Sequence, residues 1–141
     1  MSDEQGMPTP TPRVTDETER FWEATKDGNL LVRRCNDCGD AHHYPRNRCP
    51  FCFSANVEWT EASGDGTVYT YTVTHQNGEP YDEATPYVLA YVELEEGPRV
   101  MTNVVGAEPD DVFVGQDVTV VFHETDEGEY ALPRFTPVSS P

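Results

Sequence analysis

Residues 33–52 read RRCNDCGDAHHYPRNRCPFC, and the spacing of the cysteines inside this stretch decides the fold. Cys35-x-x-Cys38 and Cys49-x-x-Cys52 are two short pairs separated by ten residues. Four thiolates so placed can close a tetrahedral zinc site with Zn–S bonds of about 2.3 Å. Gly39 follows the first pair, where a knuckle turn needs room, and Pro50 sits inside the second. The predicted metal ligands are therefore Cys35, Cys38, Cys49 and Cys52, holding a structural Zn2+. Thiolates in all four positions leave no place for a catalytic water. Paired spacing of this kind also argues against a disulfide scaffold and for a reducing cytosol, so the chain is expected to be cytoplasmic.

Outside this module the chain is acidic and poor in apolar residues. Of 141 residues, 9 are Lys or Arg and 26 are Asp or Glu, a formal net charge of −17, and 36% are hydrophobic. The core is expected to be small, with metal binding helping to hold it. Neither a secretory leader nor a membrane-spanning run is expected. The charge argues against nucleic acid as a partner. Lysine is nearly absent, with Lys26 alone, and the acids are spread along the chain. That composition suits a halophilic, archaeal source, in which the charge would report habitat more than partner.

The rest of the chain divides by composition. Residues 1–16, with Pro8, Pro10 and Pro12, read as a disordered tail. Asp16 with Glu19 resembles a capping box and Gly28 a helix stop, predicting a short helix within 17–29 that buries Phe21, Trp22 and Thr25. The zinc ribbon is expected over 30–56. From 57 to 135 five β-type runs follow: 67–75, 87–94, 99–105, 117–123 and 130–135. Val88, Ala90, Val92 and Leu94 share one face. Five strands suit a barrel of the OB type, with an SH3-like barrel or small sandwich as alternatives. The long connection 76–86 is where such a barrel is expected to meet a ligand. A tail completes the chain over 136–141, and no internal repeat is apparent.

Arg33, Arg34, Arg46 and Arg48 place half of all arginines around the cysteine module. They either balance the thiolates with Asp37 and Asp40, or grip a phosphate-bearing ligand through two-pronged hydrogen bonds. His42 and His43 lie between the cysteine pairs and, with four cysteines present, read as histidines on the surface or just behind the metal ligands rather than as ligands. No phosphate loop, nucleophile elbow or His-Glu-x-x-His is present. His75 and His123 have no evident nucleophile near them in sequence, so no self-sufficient active site is expected.

Read in order, Phe21-Trp22, Gly28-x-Leu30, Arg34-Cys35-x-x-Cys38-Gly39, Tyr44-Pro45-Arg46, Cys49-Pro50-x-Cys52, Ser63-Gly64-x-Gly66-Thr67-Val68, Tyr71-Thr72 and Pro86-Tyr87 resemble the DUF35 family over residues 17–123. The resemblance implies a mainly β chain: a short N-terminal helix, a rubredoxin-like zinc ribbon and a C-terminal five-stranded OB-fold barrel. It implies a non-catalytic acyl-CoA-binding scaffold subunit beside a thiolase-fold enzyme, such as acetoacetyl-CoA thiolase with hydroxymethylglutaryl-CoA synthase. A hydratase or aldolase acting on CoA thioesters is the alternative partner. It also tips the arginine cluster towards coenzyme A, with Arg46, in the Tyr44-Pro45-Arg46 motif, as first choice and pantetheine running between ribbon and barrel. Two other classes compete. Tyr69, Tyr71 and Tyr91 could stack bases in an RNA-binding module, although residues 57–135 carry only Arg99 and Arg134 as basic groups. An independent enzyme would need a nucleophile that the sequence does not display.

Overall fold

The computed structural model of the chain describes residues 7–138. The helix α1, Glu19–Lys26, is shorter than expected. Its cap is Thr18, and no side chain of a capping box closes it. Thr18 Oγ1 instead accepts the backbone N–H of Thr15 at 3.0 Å, which makes the turn into the helix self-contained. The helix stops where expected. Gly28 takes φ 76°, and the N–H of Asn29 reaches the carbonyl of Ala24 at 3.0 Å. Phe21 and Thr25 form the buried face. Thr25 Oγ1 accepts the buried N–H of Ala131 at 3.1 Å, which pins the helix to the barrel.

The ribbon is a three-stranded antiparallel sheet in the order β2-β1-β3, from β1 (Leu31–Cys35), β2 (Ala41–His42) and β3 (Val57–Glu61). Its register pairs Arg33 with both His42 and Trp59. The ribbon thus extends to Glu61, past the expected boundary at 56, because β3 pairs with β1 along its full length.

Five strands close the barrel: β4 (Asp65–Thr74), β5 (Tyr87–Leu94), β6 (Arg99–Val104), β7 (Asp117–Glu124) and β8 (Ala131–Pro137). Their order around the barrel is β4-β5-β6-β8-β7, and β6 meets β8 in parallel at Val104 and Phe135. Closure with one parallel seam is the OB arrangement and excludes the sandwich alternative. Val88, Ala90, Val92 and Leu94 all point inward, as their alternation predicts, around a fully buried Phe135. Gly66 is dictated by close approach, since a Cβ there would lie 2.5 Å from the carbonyl oxygen of Glu93.

Two segments expected as tails are tied down. Met7 and Thr9 are buried, Met7 against Ala84 and Val105. Thr9 Oγ1 donates to Asp126 Oδ1 at 2.7 Å, and the N–H of Asp126 donates back to the carbonyl of Thr9 at 2.9 Å. Tandem hydrogen bonds and an apolar anchor order the described part of the proline-rich segment. At the other end β8 runs on through Pro137. The expected tail residues 1–6 and 139–141 lie outside the described residues.

Candidate functional site

The four cysteines converge. Their Sγ atoms all lie within 4.8 Å of one another, with Cys35–Cys52 at 3.5 Å and Cys38–Cys49 at 3.6 Å. Four ligands at a Zn–S distance of about 2.3 Å on a tetrahedron would stand about 3.8 Å apart, so the cluster fits zinc. It is far from the ~2 Å separation of a disulfide. Backbone N–H groups are aimed at the sulfurs, Cys38 N at Cys35 Sγ (3.5 Å) and Phe51 N at Cys49 Sγ (3.4 Å). The N–H of Cys38 is the main reason the Cys35 thiol is lowered to about 7. Cys38 goes the other way. The N–H of Asp40 lowers it, yet burial and the neighbouring thiols push it up to about 12. Without a cation the cluster resists full ionisation, and a divalent ion removes that conflict.

The two halves of the site are built alike. Gly39 N donates to the Cys35 carbonyl, and Phe53 N to the Cys49 carbonyl, each at 2.9 Å. The arginine just before each pair clamps the turn. Arg34 Nη1 donates to the Gly39 carbonyl (2.9 Å) and Arg48 Nη1 to the Phe53 carbonyl (3.1 Å). A six-residue unit, Arg-Cys-x-x-Cys followed by a left-handed residue, therefore occurs twice, where the sequence showed no repeat.

The four arginines have separate duties. Arg33 is buried, its guanidinium 4.1 Å from the Trp59 ring centroid, and its Nη2 donates to Asn47 Oδ1 at 3.1 Å. Arg34 and Arg48 serve the knuckles. Arg46 is exposed, with its guanidinium over the Tyr44 ring at 5.6 Å. The histidines differ from the surface expectation. His42 is buried on β2, and His43 packs edge-on against Phe21 at 5.6 Å. Burial, and then the adjacent His42, lower the His43 imidazole to about 4, so it is neutral at pH 7. Neither belongs to the metal cluster.

Helix, ribbon and barrel meet around a crevice of about 270 Å³. Phe21 and Trp22 come from α1, and His43, Tyr44 and Pro45 from the ribbon; residues 100–103 of β6 and 132–134 of β8 complete it with Tyr81. Tyr81 stands in the long connection 76–86, which the sequence marked as a ligand loop. The crevice lining holds no carboxylate. Three larger clefts, about 570, 580 and 420 Å³, are lined by acids: Asp65, Glu93, Glu95 and Asp117 in the first, Glu124 and Glu129 in the second, Glu23, Asp27 and Glu61 in the third. At the barrel wall of the crevice Arg134 Nη1 bonds His123 Nδ1 (3.1 Å), and Nη2 donates to the Pro8 carbonyl (2.5 Å). Among the described residues, the buried Nδ1 of His43 has no hydrogen-bond partner. His43 and Arg134 were missed as site residues because neither stands in a motif; only folding brings them together.

The barrel does not offer a basic groove. Arg99 is paired with Glu93 (3.3 Å) and stacks on Tyr69 at 3.8 Å, and Arg134 is buried. Tyr69, Tyr71 and Tyr91 are partly exposed.

A zinc ribbon fused through a short link to an OB barrel, with a crevice where the two meet, defines the class. Sequence families described as "ChsH2, rubredoxin-like zinc ribbon domain" and "ChsH2, C-terminal OB-fold domain" match residues 22–58 and 59–123. A DUF35 domain-containing scaffold protein of Methanocaldococcus jannaschii is 37% identical over 110 residues, covering 77% of this chain and 78% of that one. The chain belongs to the DUF35 family. It is also 40% identical over 128 residues to a protein of Thermomonospora curvata named "Probable enoyl-CoA hydratase alpha subunit"; the match covers 91% of this chain and only 40% of that one. A solved structure titled "Ltp2-ChsH2(DUF35) aldolase" superimposes with a TM-score of 0.79 at 39% identity, covering 90% of this chain and 98% of that chain. Among the described residues no helix is long and apolar enough to cross a membrane.

Proposed function

We propose that the chain is a non-catalytic, acyl-CoA-binding accessory subunit of an enzyme that acts on CoA thioesters. The observation that carries this reading is the crevice between ribbon and barrel. It is free of carboxylates in a chain of net charge −17, and a buried histidine nitrogen in its wall lacks a partner among the described residues. A buried polar atom left unpaired costs about 1–3 kcal/mol, which a ligand amide or hydroxyl would recover. The crevice falls just below the ~300 Å³ at which pockets for drug-sized ligands begin. It suits a slender pantetheine arm and leaves the nucleotide outside. Arg46, exposed and one residue beyond the crevice-lining Pro45, is the arginine we assign to a ligand phosphate, a choice supported by its solvent exposure. Arg33, Arg34 and Arg48 are already engaged within the ribbon.

The partner proposed from the sequence is a thiolase-type enzyme. The names of the hydratase and aldolase relatives favour a second reading, in which the same crevice serves a hydratase or aldolase subunit. Both keep the chain's own role. The test is equilibrium binding of CoA to the native complex at molar salt. Arg46→Ala is expected to raise the Kd about tenfold, the value of one charge-assisted hydrogen bond, with zinc content unchanged. An unchanged Kd removes Arg46 from the site. A complex that ignores CoA altogether overturns the reading.

A further inference from the structure

Strand β4 has a neighbour on one side only along its second half. Asp65–Thr67 pair with β7, and the backbone of Val68 bonds that of Gln116 and Gly115 just beyond. After the irregularity between Val68 and Thr70, residues 70–74 pair with β5 alone. In an antiparallel pair every second residue turns its N–H and C=O to the neighbouring strand, and the residues between turn theirs outwards. Among the described residues no hydrogen bond receives those outward groups. Thr70, Tyr71 and Thr72 are exposed. Open edges are usually blunted by charge or proline, yet Thr70-Tyr-Thr-Val-Thr74 holds neither.

The neutrality extends sideways. Residues 66–78 contain no Asp, Glu, Lys or Arg, nor do the residues in register with 70–74, Tyr87–Tyr91 on β5 and then Met101–Val104 on β6. Leu89 and Tyr91, in register with Thr72 and Thr70, are 38% and 44% exposed. A second copy of a chain of net charge −17 can approach here without setting acid against acid. The ribbon's edge strand β3, by contrast, carries Glu58 and Glu61. The β4 edge is also its own complement. Laid antiparallel about a twofold axis at Thr72, it sets Thr70 opposite Thr74, Tyr71 opposite Val73, and Thr72 opposite itself. Thr–Thr and aromatic–β-branched pairs are among those that stabilise neighbouring strands. Paired positions are always an even number of residues apart, so outward groups meet outward groups. We infer that residues 70–74 of β4 form a homodimer interface, joining two barrels in one sheet that runs β6-β5-β4 in one copy and β4-β5-β6 in the other. The twofold closes the edge on itself. This inference does not depend on the accessory-subunit reading.

The test is the solution mass of the zinc-loaded full chain by sedimentation equilibrium, at molar salt so that net charge is screened. Wild type is expected to pass from monomer to dimer as concentration rises. Thr72→Lys sets two ammonium groups against each other at the axis while making the chain less acidic as a whole. It should raise the dimer dissociation constant at least about fivefold, with zinc content and melting unchanged. Glu58→Lys, on the β3 edge, should leave the constant within about twofold, as a lone surface charge does. Hydrogen exchange of the wild type is the second measurement, and it decides the matter should Thr72→Lys fail to fold. Alternate amides within 70–74 should be protected in the dimer and exchange fast on dilution to monomer. A chain that stays monomeric up to millimolar concentration overturns the inference. So does a Thr72→Lys dimer as tight as wild type, a dimer broken by Glu58→Lys, or 70–74 amides that exchange alike in monomer and dimer.

Discussion

Replacing His43 with Phe should flatten the acid side of the stability profile. Burial holds the His43 imidazole at about 4, against about 6.5 in an unfolded chain. Between those values the unfolded state binds the extra proton, so folding loses stability as the pH falls. The contribution is complete above about pH 6.5 and is lost progressively towards pH 4. A difference of about 2.5 pH units is worth about 3 kcal/mol in all, of which about 2 kcal/mol is gone by pH 5. Phe keeps the ring that packs on Phe21 and carries no proton. The assay is urea unfolding of zinc-loaded chains at pH 7.5 and pH 5.0, followed by tryptophan fluorescence, since Trp22 borders the same crevice. Acid also protonates the zinc thiolates, but equally in both chains, so the difference between them isolates His43. Wild type should lose about 2 kcal/mol more than His43→Phe over this interval. Equal losses would show that His43 is open to water in solution, and the account of a buried His43 imidazole would fail.

Two further outcomes follow from the ribbon. Chelation of one zinc per chain should expose the β1 and β3 amides to rapid hydrogen exchange while β5 and β6 stay protected, because the ribbon sheet depends on the metal site and the barrel has its own core; unchanged β1 protection would count against a structural metal. Arg34→Met and Arg48→Met should each speed zinc transfer to a chelator about fivefold, the worth of a hydrogen bond of about 1 kcal/mol to a knuckle carbonyl, with Arg46→Met as a control that leaves transfer unchanged.

The metal centre was legible in the sequence because its chemistry is local: two short pairs carry all four ligands, and their spacing alone implies the tetrahedron. Barrel strands were legible for a similar reason. Alternation along 87–94 reports the face of β5 without knowledge of its neighbours. Pairing between distant segments left no such mark. Residues 57–61 read as the start of the barrel domain, and only the register with β1 assigns them to the ribbon sheet. The proline-rich segment reads as disordered because its composition hides the anchoring by Met7 and Thr9, whose partners lie far along the chain. Arginine clustering singled out the ribbon, yet composition could not separate Arg34 and Arg48, which brace turns, from Arg46, which faces solvent. The repeated unit escaped notice because its last position is Gly in one copy and Phe in the other.

The placement of β3 also bears on how such chains can be recombined. The two matching families divide the chain between residues 58 and 59, in the middle of a strand paired with β1 along its whole length. Cut there, a chimaera would inherit half a strand from each parent and break the ladder that steadies the metal. The natural splice lies after Glu61, in the link 62–64 that turns directly into β4. Ribbon and barrel are separable cassettes only at that seam.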